Sequence, residues 1–315
     1  MIALEEIRRA REVLEGTAIR TPLVRLDADS DTEIWLKLEL LQPVRSFKIR
    51  GAGNAILQAT DAELAGGVLT ASAGNMAQGV AYAARLRRVP AAIVVPKHAP
   101  QTKIDAIERY GGRVIRVPYE EWWQVLVTGR YEGADGLFIH PVDNDRVMAG
   151  NGTIGLELLE QLADFDTVAV PYGGGGLLTG IASAVKQARP DVKFFAVEPD
   201  TGAPATATLR AGTPTAVEYT PSFVDGSGSR ELIPRVWEQA SQLLDGAVAM
   251  SIDDVADAVR LIAERTRVIA EGAGALAAAA ALGGHLEGAK KVVCIVSGGN
   301  IDPAVLSRIL IGEQP

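Results

Sequence analysis

Cysteine is almost missing from this chain: among 315 residues Cys294 stands alone. An internal disulfide is therefore excluded, and the neighbours Val292, Val293, Ile295 and Val296 mark a buried strand, which fits a reducing, cytoplasmic setting. Histidine is scarce as well. His98, His140 and His285 are far apart, and none has the spacing of a zinc site, so each reads as structural or surface and no metal is expected. Basic charge is in deficit, with 31 Lys and Arg against 39 Asp and Glu and a net charge of −8. A polyanion is repelled by a phosphate backbone, which argues against a nucleic-acid partner while permitting a local anion site. Long apolar runs are lacking too. The small-apolar stretch 272–284 falls short of the ~20 residues a spanning helix needs, so no membrane partner is expected. The N-terminal MIALEEIRRAREVL is charged and amphipathic, without a signal-peptide core. No repeat, low-complexity tract or long linker is visible.

What is present is a soluble-protein composition, 48% apolar and 22% charged, with 33 glycines, several of them clustered. Apolar β-type runs at 34–38, 68–71, 91–95, 113–117, 137–139, 168–170, 194–197 and 292–296 alternate with helical patterns. Most are apolar throughout, as parallel strands covered on both faces are. In 251–264, Ile252, Val255, Val259 and Ile262 share one helical face, and Ser251 with Asp254 forms a capping box, as does Thr60 with Glu63. The β-α-β-α order implies an α/β fold of two interleaved, open twisted-sheet domains. The expected division is 1–66 with 144–315 as the larger domain and 67–143 as the smaller, the cleft lying between them.

Four segments carry candidate chemistry. Ser46-Phe47-Lys48-Ile49-Arg50-Gly51 precedes a helix. A lysine between apolar neighbours at a helix start is desolvated and faces the positive helix end, and both effects lower its pKa. The plainer alternative is a surface lysine with a snorkelling stem. Ser72-Ala73-Gly74-Asn75-Met76 follows a strand and opens a helix, so its backbone N–H groups suit a carboxylate or phosphate, or serve only as a cap. Gly173-Gly174-Gly175-Gly176-Leu177 also joins a strand to a helix. Four glycines exceed the needs of a tight turn and let several N–H groups approach one anion. Ser297-Gly298-Gly299-Asn300 closes a strand, where a serine can face a cleft. Glu198 sits where a dinucleotide fold keeps its ribose-binding acid, but the G-x-G-x-x-G spacing fails at Leu178 and Thr179, and no P-loop lysine follows.

With Lys37-Leu38-Glu39, Gln42-Pro43, Val197-Glu198-Pro199 and Glu271-Gly272-Ala273-Gly274-Ala275, these segments resemble, in joint order and spacing, the fold-type II pyridoxal 5′-phosphate (PLP) enzymes. The closest resemblance is to the threonine/serine dehydratases (threonine ammonia-lyases), and it spans nearly the whole chain. It implies a tryptophan synthase β-like fold and a homodimer. It also implies that Lys48 carries PLP as an imine and, once freed by substrate, takes the Cα proton of a β-hydroxy amino acid, L-threonine or L-serine. Phe47 would support the ring, Asn75 would bond its hydroxyl, Gly173, Gly174, Gly175, Gly176 and the Leu177 amide would cradle the phosphate, and Ser297 would meet the pyridine nitrogen. Ser72, Ala73, Gly74 and Met76 would line the substrate carboxylate site. PLP is the electron sink that elimination requires.

Departures from the family pattern qualify this expectation. Ala73 replaces the serine that serine racemases use as the acid/base on the opposite face, which favours dehydration over racemisation. Met76 stands where histidine is usual, and its apolar bulk points toward a larger or less polar substrate side chain. Val44-Arg45 replaces Thr-Gly; Arg45 reads as surface, the alternative being a substrate or phosphate contact. Pro204 replaces an aspartate that, with residues matching Glu198 and Gly202, binds a divalent cation in some relatives. Trp122-Trp123 is expected to pack on the core or a partner, and Asp225-Gly226 to form a turn near the cofactor. A C-terminal regulatory domain is not expected after Pro315. The rival readings are a PLP-dependent racemase, a cysteine synthase-like β-replacement enzyme, and a non-catalytic phosphate-binding module.

Overall fold

The computed structural model describes residues 1–313. Among them ten strands form two sheets: β1 (Leu23–Arg25), β2 (Glu33–Leu38), β3 (Val68–Ala71), β4 (Ala91–Pro96), β5 (Arg113–Val117), β6 (Leu137–Phe138), β7 (Thr167–Pro171), β8 (Lys193–Pro199), β9 (Gly246–Met250) and β10 (Lys291–Val296). One sheet has the order β1-β2-β10-β7-β8-β9 and the other β5-β4-β3-β6. Every pairing is parallel except β1 with β2. The α/β expectation holds, and each of the eight expected strands is present. The two unanticipated strands are sheet edges. β1 is only three residues long, and β9 is a half-exposed Ala/Gly-rich run, so neither shows the continuous apolar signal of the buried β3 and β7.

Helices cover both faces of the six-stranded sheet. On one side the helix Gly272–Leu282 is alanine-rich and buried from Gly272 to Ala281, packing with Leu36, Ala169, Val197 and Val292. On the other, Gly176–Ala188 and Asp145–Gln161 pack Ile181, Ala182, Ile154 and Leu158 against Val168, Phe194 and Val293. Helix Asp145–Gln161 also meets helix Lys48–Leu57 backbone to backbone. A Cβ on Gly150 would lie 2.2 Å from the Arg50 carbonyl oxygen, so glycine sets the approach.

The helix Lys48–Leu57 joins the two halves. Its Ile49, Ala52, Ala55 and Ile56 are buried with Val68, Val80 and Ile93 around the four-stranded sheet. Its N-terminus is tied instead to the end of β10: Phe47 donates its N–H to the Ser297 carbonyl at 2.9 Å, and Gly299 donates to the Arg45 carbonyl at 2.9 Å. Behind the helix lies a buried charge cluster. Arg50 donates Nε to Glu39 Oε2 at 2.7 Å, Nη2 to Glu39 Oε1 at 2.8 Å and Nη1 to Glu157 Oε1 at 2.7 Å. Lys37 Nζ donates to Glu157 Oε2 at 2.5 Å, the Thr21 carbonyl at 2.8 Å and Gln161 Oε1 at 2.8 Å. Two cations meet two carboxylates and the formal charges cancel, as burial demands. The Thr60–Glu63 box is reciprocal but opens a turn and not a helix, while at Ser251 only half of the box forms: Asp254 N donates to Ser251 Oγ at 3.1 Å and the hydroxyl donates to the Asp254 carboxylate. Among the described residues no helix is long and apolar enough to cross a membrane.

Candidate active site

A cavity of about 600 Å³ opens between the sheets, lined by Phe47, Lys48, Ser72, Ala73, Gly74, Asn75, Met76 and Ser297. A smaller pocket of about 50 Å³ shares Phe47, Lys48, Pro141, Gly226 and Ser297 with it and is closed by Gly173, Gly174, Gly175, Gly176 and Leu177. The residues expected to hold cofactor and substrate therefore line two adjoining pockets, although they come from four separate segments.

Lys48 is the first residue of its helix, and its half-buried side chain enters the cavity. Nζ donates to the Pro141 carbonyl at 3.0 Å and lies 5.0 Å from the centre of the Phe47 ring. Neither contact neutralises an ammonium. Burial pulls the Lys48 pKa down to about 8, and the charge of Glu271 offsets only part of that. The carbonyl is presented by a turn that His140 organises, its Nδ1 accepting from Val142 N at 3.1 Å and Asp143 N at 2.7 Å. Burial holds this imidazole down at about 4, the nearby Asp143 opposing, so it remains a neutral acceptor.

The glycine loop is built for backbone donation. Thr179 makes a bond of 2.9 Å to the Gly175 carbonyl, at the start of helix Gly176–Ala188. The amides of Gly176, Leu177 and Leu178 precede it and are free for an anion, at the positive end of the helix. Gly175 has φ of 89°, and a Cβ there would meet Tyr172 Oη at 2.6 Å; on Gly174 it would meet Val142 Cγ2 at 2.6 Å. At these two positions only glycine fits.

Facing it, Gly74 donates its N–H to Ser72 Oγ at 3.2 Å, and the helix Asn75–Arg87 begins without a side-chain cap, leaving first-turn amides at the cavity wall. Met76 is only 2% exposed and packs in the core around the four-stranded sheet, so most of its bulk is turned away from the cavity. Asn75 Nδ2 donates to Glu271 Oε1 at 2.7 Å and Asn75 Oδ1 accepts from Asn300 Nδ2 at 2.7 Å. Glu271 and Asn300 carried no assigned role in the sequence, because their contacts with Asn75 span 196 and 225 positions. Burial pushes the Glu271 pKa up to about 7, with Asp225 adding to the rise and Asn75 and the Asn300 amide opposing it. Lys103, on the helix Gln101–Arg109, pairs with Asp225 across the cavity mouth.

The remaining candidates sort as follows. Arg45 is exposed, in a left-handed conformation at φ 60°. Trp122 packs on the four-stranded sheet and also borders the cavity, as do Tyr119 and Tyr219. Gly226 of the Asp225-Gly226 turn lies beside Lys48 in the smaller pocket. Glu198 is occupied at the start of helix Pro204–Ala211, accepting from Ala205 N at 2.9 Å and from Thr206 N and Oγ1 at 2.8 Å. Among the described residues no group of three His, Cys, Asp or Glu side chains is placed to hold a metal ion.

Residues 14–298 match the family model described as pyridoxal-phosphate dependent enzyme. The chain is 39% identical to an L-threonine ammonia-lyase from Thermotoga maritima, the match covering 98% of this chain and 78% of that protein. It is 37% identical to a catabolic L-threonine dehydratase from Escherichia coli, over 98% of this chain and 96% of that one. Among solved structures, maize serine racemase superposes with a TM-score of 0.91 at 33% identity, covering 98% of this chain and 97% of that chain.

Proposed function

Because the chain belongs to the pyridoxal-phosphate dependent enzyme family, with the two-sheet architecture of PLP fold type II, we propose that it is a PLP-dependent ammonia-lyase that converts L-threonine and/or L-serine to a 2-oxo acid and ammonia. The observation that carries the reading is Lys48: a cavity-facing amine with a depressed pKa and no carboxylate partner, set between a glycine-rich anion cradle and Ser297. PLP fits this donor set. Gly173, Gly174, Gly175, Gly176 and the Leu177 amide hold its phosphate, Phe47 backs its ring, Asn75 bonds the ring hydroxyl, and Ser297 meets the ring nitrogen. Bound there, PLP supplies the electron sink for negative charge at the substrate Cα.

The protein's own groups do the rest. Ser72 and Gly74, with the amides around Ala73 and Met76, hold the substrate carboxylate and so orient the Cα–H bond. Lys48, near neutrality in pKa, takes the Cα proton. The β-hydroxyl departs as water with the proton that the Lys48 ammonium returns to it, and the unsaturated amine released hydrolyses to the 2-oxo acid and ammonia. The close likeness to a serine racemase does not extend the reading to racemisation, because Ala73 has no proton to give on the opposite face. The reading includes a cytoplasmic homodimer divided into 1–66 with 144–315 and 67–143, helix Lys48–Leu57 bridging the two parts. The experiment is 2-oxo acid release from a panel of β-hydroxy amino acids, using purified protein with added PLP. Release from L-threonine or L-serine is expected. Silence from the whole panel, with PLP bound, would remove dehydration and turn attention to β-replacement.

A further inference from the structure

The Asn75 amide is held by a chain of contacts that leaves it no freedom to turn over. The chain starts at the Val44 carbonyl, which can only accept. It takes one N–H of Asn300 Nδ2 at 3.0 Å, fixing which end of that amide is nitrogen. The second N–H of the same nitrogen then goes to Asn75 Oδ1 at 2.7 Å. With its oxygen spoken for, Asn75 must present nitrogen to Glu271, and Nδ2 donates to Oε1 at 2.7 Å. Glu271 is itself fixed by a second donor, the Asn300 backbone N–H at 3.0 Å to Oε2. Room for the carboxylate is made by Gly298, where a Cβ would stand 2.3 Å from Oε1. One Asn75 N–H remains, on the cavity wall and without a protein acceptor among the described residues.

We propose that Glu271 and Asn300 are positioning residues that lock Asn75 as a one-way hydrogen-bond donor, so that it meets the ring oxygen of PLP as an acceptor and favours its deprotonated form. The inference rests on the reading of this cavity as the PLP site with Asn75 beside the ring hydroxyl. An unlocked asparagine could accept a hydrogen bond from the ring hydroxyl as readily as donate one to its oxygen, and the protein would no longer bias the protonation of the ring. Glu271 therefore acts on the cofactor without touching it. The two ends of the lock also come from opposite sides of the cavity. Asn75 opens a helix packed on the four-stranded sheet, while Glu271 and Asn300 flank the six-stranded one.

The test compares wild type with Asn75→Ala, Glu271→Gln and Asn300→Ala, reading the near-visible absorption band of bound PLP and its dissociation constant. Glu271→Gln keeps the shape but sets a donor against one of two N–H groups, and Asn300→Ala removes the contact that fixes the amide. The expected result is that both shift the band in the same direction as Asn75→Ala and weaken PLP binding by about tenfold, with the unfolding temperature of the cofactor-free protein unchanged. A shifted band in Asn75→Ala with wild-type bands in the other two would overturn the lock and leave the site reading intact. An unshifted band in Asn75→Ala itself would overturn the placement of Asn75 at the ring, and the lock with it.

Discussion

Lys48 and Arg50 are two residues apart on one helix, yet they face opposite chemical worlds. Arg50 looks back into a set of charges that is complete: its guanidinium reaches two carboxylates, and Lys37 balances the second of them. Burial works against its charge, but Glu39 and Glu157 together raise its pKa above the ordinary value. Lys48 looks forward into a cavity with a carbonyl and an aromatic ring for company, and burial brings it down toward neutral pH. The same helix thus carries one cation saturated with partners and one deprived of them. Saturation makes a structural residue and deprivation a reactive one.

Substitution separates the two roles most sharply. Lys48→Ala is expected to lower 2-oxo acid formation by at least about 10²–10⁴-fold. The melting temperature of its apoprotein should not fall, because at neutral pH the folded state loses only a poorly solvated ammonium. Arg50→Met is expected to do the reverse. It strands Glu39 with its buried charge and should cost about 3–5 kcal/mol in denaturant unfolding; an Arg50→Met protein of normal stability but no activity would erase the distinction drawn here.

The pH dependence sharpens the same contrast. Only the neutral amine can attack PLP. With Lys48 near 8 rather than 10.5, the rate of cofactor attachment to apoprotein should rise about tenfold per pH unit below 8 and level off above it. A rate still climbing at pH 10 would show that Lys48 is not desolvated. On the anion side of the cavity, Gly175→Ala forces a side chain into the φ 89° conformation and against Tyr172. If the loop relaxes, PLP binding must restore it at a cost of about 1–2 kcal/mol, a rise in Kd of roughly tenfold or more by absorbance titration. The smallest effect is expected at the cavity mouth. Lys103 and Asp225 are 29% and 52% exposed, and Lys103→Ala should change KM by only about threefold, less at high salt.

Most of the fold was legible because its strands are buried on both faces and read as apolar runs. β1 and β9 escaped because edge strands lack that signal. In the site, the glycine loop was readable because four glycines exceed what a turn needs, whereas Lys48 alone was as compatible with a surface lysine and gained its role from the joint order of the motifs. Glu271 was not readable. It sat in a recognised motif, but its meaning comes from Asn75, 196 positions away, and no local pattern encodes such a contact. His140 was read as structural and does hold a turn, yet its link to Lys48 passes through the Pro141 carbonyl, which any residue supplies. Met76 lines the cavity where the sequence put it, but the share of its bulk that packs into the core depends on contacts that the sequence leaves unstated.

The place of β10 has a bearing on how the protein comes into being. It is the last of the ten strands to be synthesised, and it lies in the interior of its sheet, between β2 and β7. Until it emerges from the ribosome those two strands have no shared neighbour, and Arg45 and Phe47 lack their bonds to Gly299 and Ser297. Cofactor capture then waits for β10, and the pairing with β2 that closes the sheet joins Glu33 to Lys291, far apart in sequence. Such distant pairings are slow to form, so the nascent chain depends on being shielded through the interval when its central gap is open.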